Sequence, residues 1–129
     1  MDNHINKAVE KIVHIPHDFY MRQNVSEIVL LQEAGYIELY NKITEDEIIE
    51  ILKNYPHLIV EWLQWSEDNR SSSKWYFTKD DDGKCFVGHF PEGKEFEKII
   101  TSDEFKACSA FIKREIETTR ILIANKATH

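Results

Sequence analysis

The chain has little of what makes a protein class easy to recognise from its sequence. Cysteine occurs only twice in 129 residues, at Cys85 and Cys108, and neither has a second cysteine at metal-ligand spacing. This excludes a cysteine-based metal site, and we expect both thiols to be reduced and partly buried. Glycine occurs four times, and no phosphate-binding glycine loop, nucleophile elbow or metalloprotease motif is present. The sequence therefore does not predict an enzyme.

Long apolar runs are also missing. No segment approaches the length of a membrane span. The first seven residues, MDNHINK, lack the uninterrupted apolar core of a secretory signal. We therefore expect a cytoplasmic protein that does not associate with a membrane.

Positive charge is the minority charge. The chain has 16 lysines and arginines but 23 aspartates and glutamates, and the formal net charge is -7. A nucleic-acid interface depends on clustered Lys and Arg, so this balance argues against nucleic-acid binding and favours a basic protein as the charged partner. The simpler alternative is that the charge only keeps the protein soluble.

Apolar and aromatic residues, by contrast, are sufficient for a folded core. Hydrophobic residues make up 42% of the chain and aromatic residues 12%, and these supply the large apolar surfaces that disordered chains lack. A length of 129 residues matches the commonest domain size, and no internal repeat divides the sequence. We predict a single globular domain over residues 1–129.

The first half of the sequence carries helical patterns. Pro16 ends the first helical segment and Gly35 ends the second. Thr44 and Glu47 form a capping-box pattern that predicts the start of a further helix, and Pro56 separates it from the next one. Apolar residues recur at helical spacing in three segments: the first at residues 3–14, the second at 25–34 and the one after Pro56 at 58–68.

Alternating patterns typical of β-strands follow. They predict three strands, with a hairpin turn at Asp82-Gly83 and a second turn at Pro91–Lys94. The polar stretch Asn69–Ser73 is interpreted as the connection from the preceding helix. The predicted strands are Lys74–Lys79, Lys84–Phe90 and Glu95–Ile100.

The alternation also predicts which side chains share a face of this sheet. Trp75 and Phe77 should share one face, whereas Tyr76 should lie on the other. A hairpin loop of two or four residues places Phe86 and Phe90 on the face of Trp75 and Phe77. Both loop lengths give this result because they differ by an even number of residues.

A second capping pattern, Thr101-Ser102-Asp103-Glu104, predicts a long C-terminal helix whose apolar face covers the sheet. No strand-helix-strand alternation calls for a parallel sheet. We therefore predict an α+β fold with N-terminal helices, a three-stranded antiparallel meander and a long C-terminal helix.

Metal binding has little support in the sequence. The tightest histidine cluster, His14-Ile15-Pro16-His17-Asp18, would not share one regular helical face. The run Asp80-Asp81-Asp82-Gly83 fails as a calcium loop, because the first and twelfth ligand positions would be Thr78 and His89. We predict no metal and no cofactor, and we interpret the acidic run as a solvated hairpin tip.

All three tryptophans lie close together in the sequence. A stacking platform for nucleic acid would need basic surroundings, which are missing. We interpret Trp62, Trp65 and Trp75 as core residues that join the helices to the sheet. Among the neighbouring aromatic residues, Tyr76 is the one that we expect to be exposed.

A resemblance to a known family is carried by two segments. The run WLQWSEDNRSSSKWYFTKDDDGKCFVG, from Trp62 to Gly88, and ACSAFIKREI at Ala107–Ile116 resemble small cytoplasmic immunity proteins of bacterial polymorphic toxins, including contact-dependent growth inhibition systems. The shared features are a small acidic α+β chain, a helix followed by a short polar connection, an aromatic hairpin and a final helix. The resemblance implies a non-enzymatic inhibitor that binds a cognate toxin domain, often a nuclease, and blocks its active site or substrate surface.

The predicted contacts with such a partner are carboxylates at helix ends and at the hairpin tip. A rigid turn can present carboxylates to a basic groove without much ordering cost. Together with Tyr76, the predicted partner-binding residues are Glu45, Asp46, Glu47, Glu67, Asp68, Asp80, Asp81 and Asp82.

Two alternatives remain open. One is a small enzyme or ligand-binding domain with a pocket between the helices and the sheet, in which Glu67 or His89 would serve. The other is a regulatory or structural interaction protein whose partner is not a toxin. A concave pocket would favour the first alternative, and a flat acidic face would favour an inhibitor.

Overall fold

The computed structural model describes residues 3–68, 75–89 and 98–127. Within these ranges the chain forms seven α-helices and a three-stranded antiparallel sheet, so the predicted α+β fold with a long C-terminal helix is confirmed. The helices are α1 (Asn3–Val13), α2 (Ile15–Met21), α3 (Glu27–Ala34), α4 (Tyr36–Leu39), α5 (Glu45–Leu52), α6 (Leu58–Glu67) and α7 (Glu104–Ala127). The strands, in sheet order, are β1 (Trp75–Lys79), β2 (Cys85–His89) and β3 (Ile99–Thr101).

Two helix boundaries have the local structure that the sequence predicts, and a third differs in its capping residue. Gly35 ends α3 with a φ of 85°, a left-handed conformation that glycine adopts without a side-chain clash. At the start of α5, Thr44 Oγ1 accepts from the N–H of Glu47, and Glu47 Oε1 accepts from the N–H of Thr44, which completes the capping box. At the start of α7 the cap is Asp103 rather than Thr101: Asp103 Oδ1 accepts hydrogen bonds from two backbone N–H groups, both at 3.1 Å, and Glu104 is the first helical residue.

Two short helices, α2 and α4, are not predicted by the sequence patterns. Pro16 lies in the first turn of α2, where its missing N–H is not needed for an intrahelical hydrogen bond. It therefore separates α2 from α1 and also starts α2. Helix α4 follows Gly35 directly and is a single turn long.

The core lies between the helices and one face of the sheet, with α7 in its centre. Phe111 of α7 packs against Trp62 of α6, with ring centroids 6.0 Å apart, and against Phe77 of β1, with centroids 5.8 Å apart. All three side chains are buried. Trp62 also donates through Nε1 to the carbonyl oxygen of Val13 at 2.9 Å, which attaches α6 to the end of α1.

The tryptophans lie where the helices pack against the sheet, as the sequence predicts. Trp62 and Trp65 are buried, and Trp75 is half-buried. Trp75 Nε1 donates to Thr118 Oγ1 of α7 at 3.1 Å. The three side chains therefore join the helices and the sheet, whereas Tyr76 on the other face of β1 is half-buried rather than fully exposed.

The predicted pairing of β1 with β2 is wrong by one residue. Phe77 pairs with Val87, and Thr78 pairs with Phe86, so Phe86 lies on the sheet face opposite to Phe77. Cys85 and Val87 fill the core face instead, and both are buried. The predicted position of Phe86 on the core face is therefore wrong.

The length of the hairpin loop explains the difference. The backbone N–H of Asp80 donates to the carbonyl of Lys84 at 2.9 Å, so three residues, 81–83, connect the last pair of the ladder. Gly83 closes this loop with a φ of 85°, as in hairpins that combine a type I turn with a glycine bulge. An odd loop length moves every β2 side chain to the other face relative to a loop of two or four residues.

Several predicted features lie outside the described residues. These are the connection at 69–73, the turn at 91–94, Phe90 and the beginning of the predicted third strand at 95–97. The described part of the third strand runs from Ile99 to Thr101 and pairs with β2 in antiparallel orientation.

Candidate functional site

The hairpin tip is held in its conformation by the first of its three aspartates. Asp80 Oδ1 accepts hydrogen bonds from the backbone N–H of Asp82 at 3.0 Å and of Lys84 at 2.9 Å. A carboxylate that accepts from the backbone of its own turn orders that turn. Asp81 and Asp82 are exposed, and their side chains make no hydrogen bond or ion pair with the described residues. The tip therefore presents two carboxylates to solvent from an ordered turn.

The lysine that precedes the tip is already paired. Lys79 Nζ donates to Glu104 Oε2, in the first turn of α7, at 3.0 Å. This hydrogen bond and the charge of Glu104 raise the pKa of Lys79. Because Glu104 neutralises Lys79, the positive charge of Lys79 does not offset the carboxylates of Asp81 and Asp82.

An open groove with a volume of about 470 Å³ lies between α6 and β1. Ser66 Oγ on α6 accepts a hydrogen bond from the backbone N–H of Phe77 at 2.8 Å, which attaches the edge of β1 to the helix. The groove brings together two of the predicted site residues, Glu67 and Tyr76. Its described lining residues are Leu63, Ser66, Glu67, Tyr76, Phe77, Thr78 and Lys79.

Gly88 on β2 provides the space that Tyr76 occupies. The two residues are register partners on the outer face of the sheet. A Cβ atom at residue 88 would lie 2.5 Å from Tyr76 Oη and 2.7 Å from Tyr76 Cζ, so the ring lies directly against the glycine backbone. Phe86, half-buried, and Ile100, 54% exposed, lie on the same face. This face therefore presents an apolar surface with a closely packed tyrosine.

Glu67 and Asp68 are adjacent in sequence but differ in their contacts. Asp68 Oδ2 accepts a hydrogen bond from the hydroxyl of Tyr20 on α2 at 3.0 Å. Glu67 is exposed and makes no hydrogen bond or ion pair with the described residues. Asp68 therefore helps to attach α2 to the end of α6, whereas Glu67 is one of the residues that line the groove.

The three carboxylates at the start of α5 lie in a different place. Glu45 and Asp46 are exposed, whereas Glu47 is half-buried and closes the capping box. Lys113 Nζ of α7 donates to the carbonyl oxygen of Ile43, the residue directly before the cap of α5, at 2.7 Å. The lysine before the hairpin tip instead contacts Glu104, which lies about 13 Å from Lys113 along α7. The structure thus divides the predicted contact residues into two groups.

A buried carboxyl cluster joins α3, α6 and α7. Thr119 Oγ1 lies 2.6 Å from Glu27 Oε1 and 3.1 Å from the carbonyl oxygen of Glu115. Glu115 Oε2 accepts from Trp65 Nε1 at 3.4 Å, and its side chain is buried. Burial, followed by the charge of Glu115, raises the pKa of Glu27 to about 8. A protonated Glu27 can donate to Thr119, which leaves the threonine proton for the carbonyl of Glu115.

A second polar cluster attaches the segment around α4 to α7. Lys113 Nζ donates to Tyr36 Oη at 2.8 Å and to the carbonyl oxygens of Tyr40 and Ile43 at 3.2 and 2.7 Å. The Tyr36 hydroxyl donates to Glu117 Oε2 at 2.7 Å. Burial and this hydrogen bond raise the pKa of Tyr36. The sequence patterns predict neither cluster, and both contribute to the packing of α7.

The histidines that the structure describes do not converge on a metal-binding geometry. Within residues 3–68, 75–89 and 98–127, no three His, Cys, Asp or Glu side chains are placed to hold a metal ion. The ring of His14 packs against Tyr55 with centroids 4.6 Å apart, and His17 Nδ1 lies 3.4 Å from Glu61 Oε1. These histidines make local packing and polar contacts.

The thiols of Cys85 and Cys108 are free and buried. Burial raises the pKa of Cys108, which disfavours the reactive thiolate. Among the helices that the structure describes, none has both the length and the apolar character needed to cross a membrane.

No family profile, curated protein or solved structure matches this chain. A function therefore has to be argued from the geometry and charge of the tip, the groove and the outer sheet face.

Proposed function

We propose that this protein is an immunity protein, a non-enzymatic cytoplasmic inhibitor that binds a cognate toxin domain with a basic nuclease surface. The observation that supports it most is the ordered acidic tip, in which Asp80 holds the turn while Asp81 and Asp82 face solvent. The formal net charge of -7 acts in the same direction.

The contact surface that we propose, called the acidic surface below, consists of the tip and the adjoining groove. Tyr76 and Asp80 lie four residues apart along an extended strand, which corresponds to about 13 Å, so one partner domain can contact both. An aromatic residue surrounded by charged groups is a common arrangement at the centre of a specific interface. The acidic surface comprises Glu67, Tyr76, Asp80, Asp81 and Asp82.

Charge complementarity provides the mechanism of inhibition. A nuclease needs a positive surface to bind phosphate groups, and an acidic protein competes for the same surface. The hydrogen bonds of Asp80 order the tip before binding, which lowers the entropy lost on association. Long-range attraction between the two surfaces speeds association at low salt.

The proposal is tested by mixing the purified protein with the toxin domain encoded beside it. We expect stoichiometric inhibition of the toxin and a complex whose affinity falls as the salt concentration rises, since surface charges are screened. Failure to form a complex with any neighbouring toxin domain would overturn the proposal.

Two matched variants locate the contact. Asp81→Asn/Asp82→Asn and Glu45→Gln/Asp46→Asn remove the same number of charges from exposed positions. We expect only the first variant to slow association strongly at low salt. If both variants slowed association equally, the effect would come from net charge alone, and the tip would not be part of the contact surface.

A ligand-binding domain or small enzyme is the second candidate, and the groove of about 470 Å³ favours it. Its size lies within the range of small-molecule sites, and Glu67 would provide a charged anchor or a general acid. A small molecule that stabilises the wild type but not Glu67→Gln in a thermal-shift screen would favour this candidate, provided that no toxin complex forms.

A further inference from the structure

The protein contains its own example of a bound guanidinium group. Arg120 of α7 lies over the ring of Tyr40, with Cζ 3.8 Å from the ring centroid. Arg120 Nε donates to Glu117 Oε2 at 2.8 Å, and Nη2 donates to Glu117 Oε1 at 3.5 Å. A tyrosine face and a glutamate together hold this arginine, through a cation–π contact and charge-assisted hydrogen bonds.

The groove between α6 and β1 is lined by the same two types of residue, a tyrosine and a glutamate. Tyr76 and Glu67 both line it, and no arginine is among its described lining residues. The Glu67 carboxylate makes no ion pair with the part of the chain that the structure describes, and the Tyr76 ring is held against Gly88. Leu63 adds apolar surface that can cover the aliphatic part of a long side chain.

We propose that this groove binds one arginine side chain of the protein partner, with the guanidinium between the Tyr76 ring and the Glu67 carboxylate. The inference rests on the proposed function, because it names the partner residue that the acidic surface receives. A planar guanidinium can stack on the ring and donate two parallel hydrogen bonds to the carboxylate, whereas the ammonium group of lysine cannot. The exposed carboxylates of Asp81 and Asp82 attract either cation through their charge, and they have no aromatic ring beside them in the tip.

The test uses two labelled peptides, hexa-arginine and hexa-lysine, which carry the same charge. We expect wild-type protein to bind hexa-arginine about two- to fivefold more tightly, as one exposed cation–π contact would produce. Arg70 lies outside the described residues, so the titrations are repeated with Arg70→Ala to remove its guanidinium as a competitor.

Four variants assign the preference to the groove. Tyr76→Leu and Glu67→Gln should bind both peptides with similar affinity, whereas Tyr76→Phe keeps the ring and should keep the preference for arginine. Asp81→Asn/Asp82→Asn should lower the affinity for both peptides by the same factor. Circular dichroism and urea unfolding of each variant show that the comparison is made between folded proteins.

Two results would overturn the inference. One is equal affinity of the wild type, and of the Arg70→Ala protein, for the two peptides. The other is a preference for arginine that persists in both Tyr76→Leu and Glu67→Gln. Neither result depends on the toxin, so a toxin complex with no arginine preference would reject the groove site alone. A preference for arginine without a toxin complex would reject only the proposed function.

Discussion

The ring of Tyr76 lies against Gly88, at a distance that leaves no room for a Cβ atom on residue 88. Such an atom would lie 2.5 Å from Tyr76 Oη and 2.8 Å from Tyr76 Cε2. The glycine on β2 therefore determines where the aromatic ring of β1 lies. Tyr76 is also one of the residues that line the groove beside α6.

Replacing Gly88 with alanine should displace the ring and destabilise the protein. We expect the free energy of unfolding to fall by about 1–2 kcal/mol, which is typical of an overpacked site, and the preference for arginine peptides to be lost. Urea unfolding and the peptide titration measure these effects. In a Tyr76→Ala background the same Gly88→Ala change should be neutral or stabilising, because the ring is absent and alanine restricts the unfolded chain. A cost that is the same in both backgrounds would contradict the contact.

Asp80 should contribute to stability, and its two neighbours in the tip should not. Asp80→Ala removes the acceptor of two backbone hydrogen bonds and should lower the free energy of unfolding by about 1 kcal/mol. Asp80→Asn keeps an oxygen acceptor and should retain most of that energy. Asp81→Asn and Asp82→Asn should each stay within about 0.5 kcal/mol of the wild type in urea unfolding. A loss as large for Asp81 as for Asp80 would show that the turn is ordered differently.

Ser66 should be important for attaching β1 to α6. Its hydroxyl oxygen accepts from the N–H of Phe77 at 2.8 Å in a buried position. Ser66→Ala leaves this N–H buried without an acceptor, so we expect a loss of about 1–3 kcal/mol and faster hydrogen exchange of the Phe77 amide. Ser109→Ala is the matched control, because the buried Ser109 hydroxyl donates only to a carbonyl of its own helix and should matter less. Unchanged exchange at Phe77 would reject this role for Ser66.

The carboxyl pair of Glu27 and Glu115 should make stability depend on pH. Burial and the charge of Glu115 raise the pKa of Glu27 from 4.5 to about 8, so between these values the folded protein holds a proton that the unfolded chain has released. This contribution is present at low pH and is lost as the pH rises from about 4.5 to about 8, with a slope of at most about 1.4 kcal/mol per pH unit.

Glu27→Gln removes this titration. The stability of the variant relative to the wild type should therefore increase across the same window and level off above pH 8. Urea unfolding of both proteins at a series of pH values measures the difference, in which the titrations of groups that do not interact with Glu27 cancel. A difference that does not change with pH would contradict a protonated Glu27 in the folded protein.

The helix boundaries could be predicted because they depend on neighbours in sequence. Gly35 ends α3 through its own φ of 85°, and Thr44 and Glu47 satisfy each other's backbone groups within one turn. The short helices α2 and α4 have too few residues for a periodic pattern to indicate them.

The hairpin register could not be predicted from the Asp-Gly signal alone. That signal is compatible with loops of different lengths, and the observed three-residue loop depends on the Asp80 carboxylate and on Gly83. A difference of one residue was enough to move Phe86 to the outer face and to place Cys85 and Val87 in the core.

The buried carboxyl cluster had a signal in the sequence, although an ambiguous one. Glu115 lies next to Ile116 and four residues before Thr119, on the side of α7 that faces the core. A glutamate at such a position usually extends to solvent. Only the tertiary structure, in which Trp65 of α6 donates to Glu115, shows that this glutamate is buried and hydrogen-bonded.

By itself, the sequence determined the α+β class, the end of α3, the start of α5 and the exposure of the acidic tip, because periodicity, capping and turn chemistry act over a few residues. Only the tertiary structure decided that Glu67 and Tyr76 share a groove, that Gly88 positions Tyr76 and that Glu45 and Asp46, at the start of α5, lie beside another part of α7. These relationships join separate elements, and the packing of α6 and α7 against the sheet sets them. No local pattern contains that information.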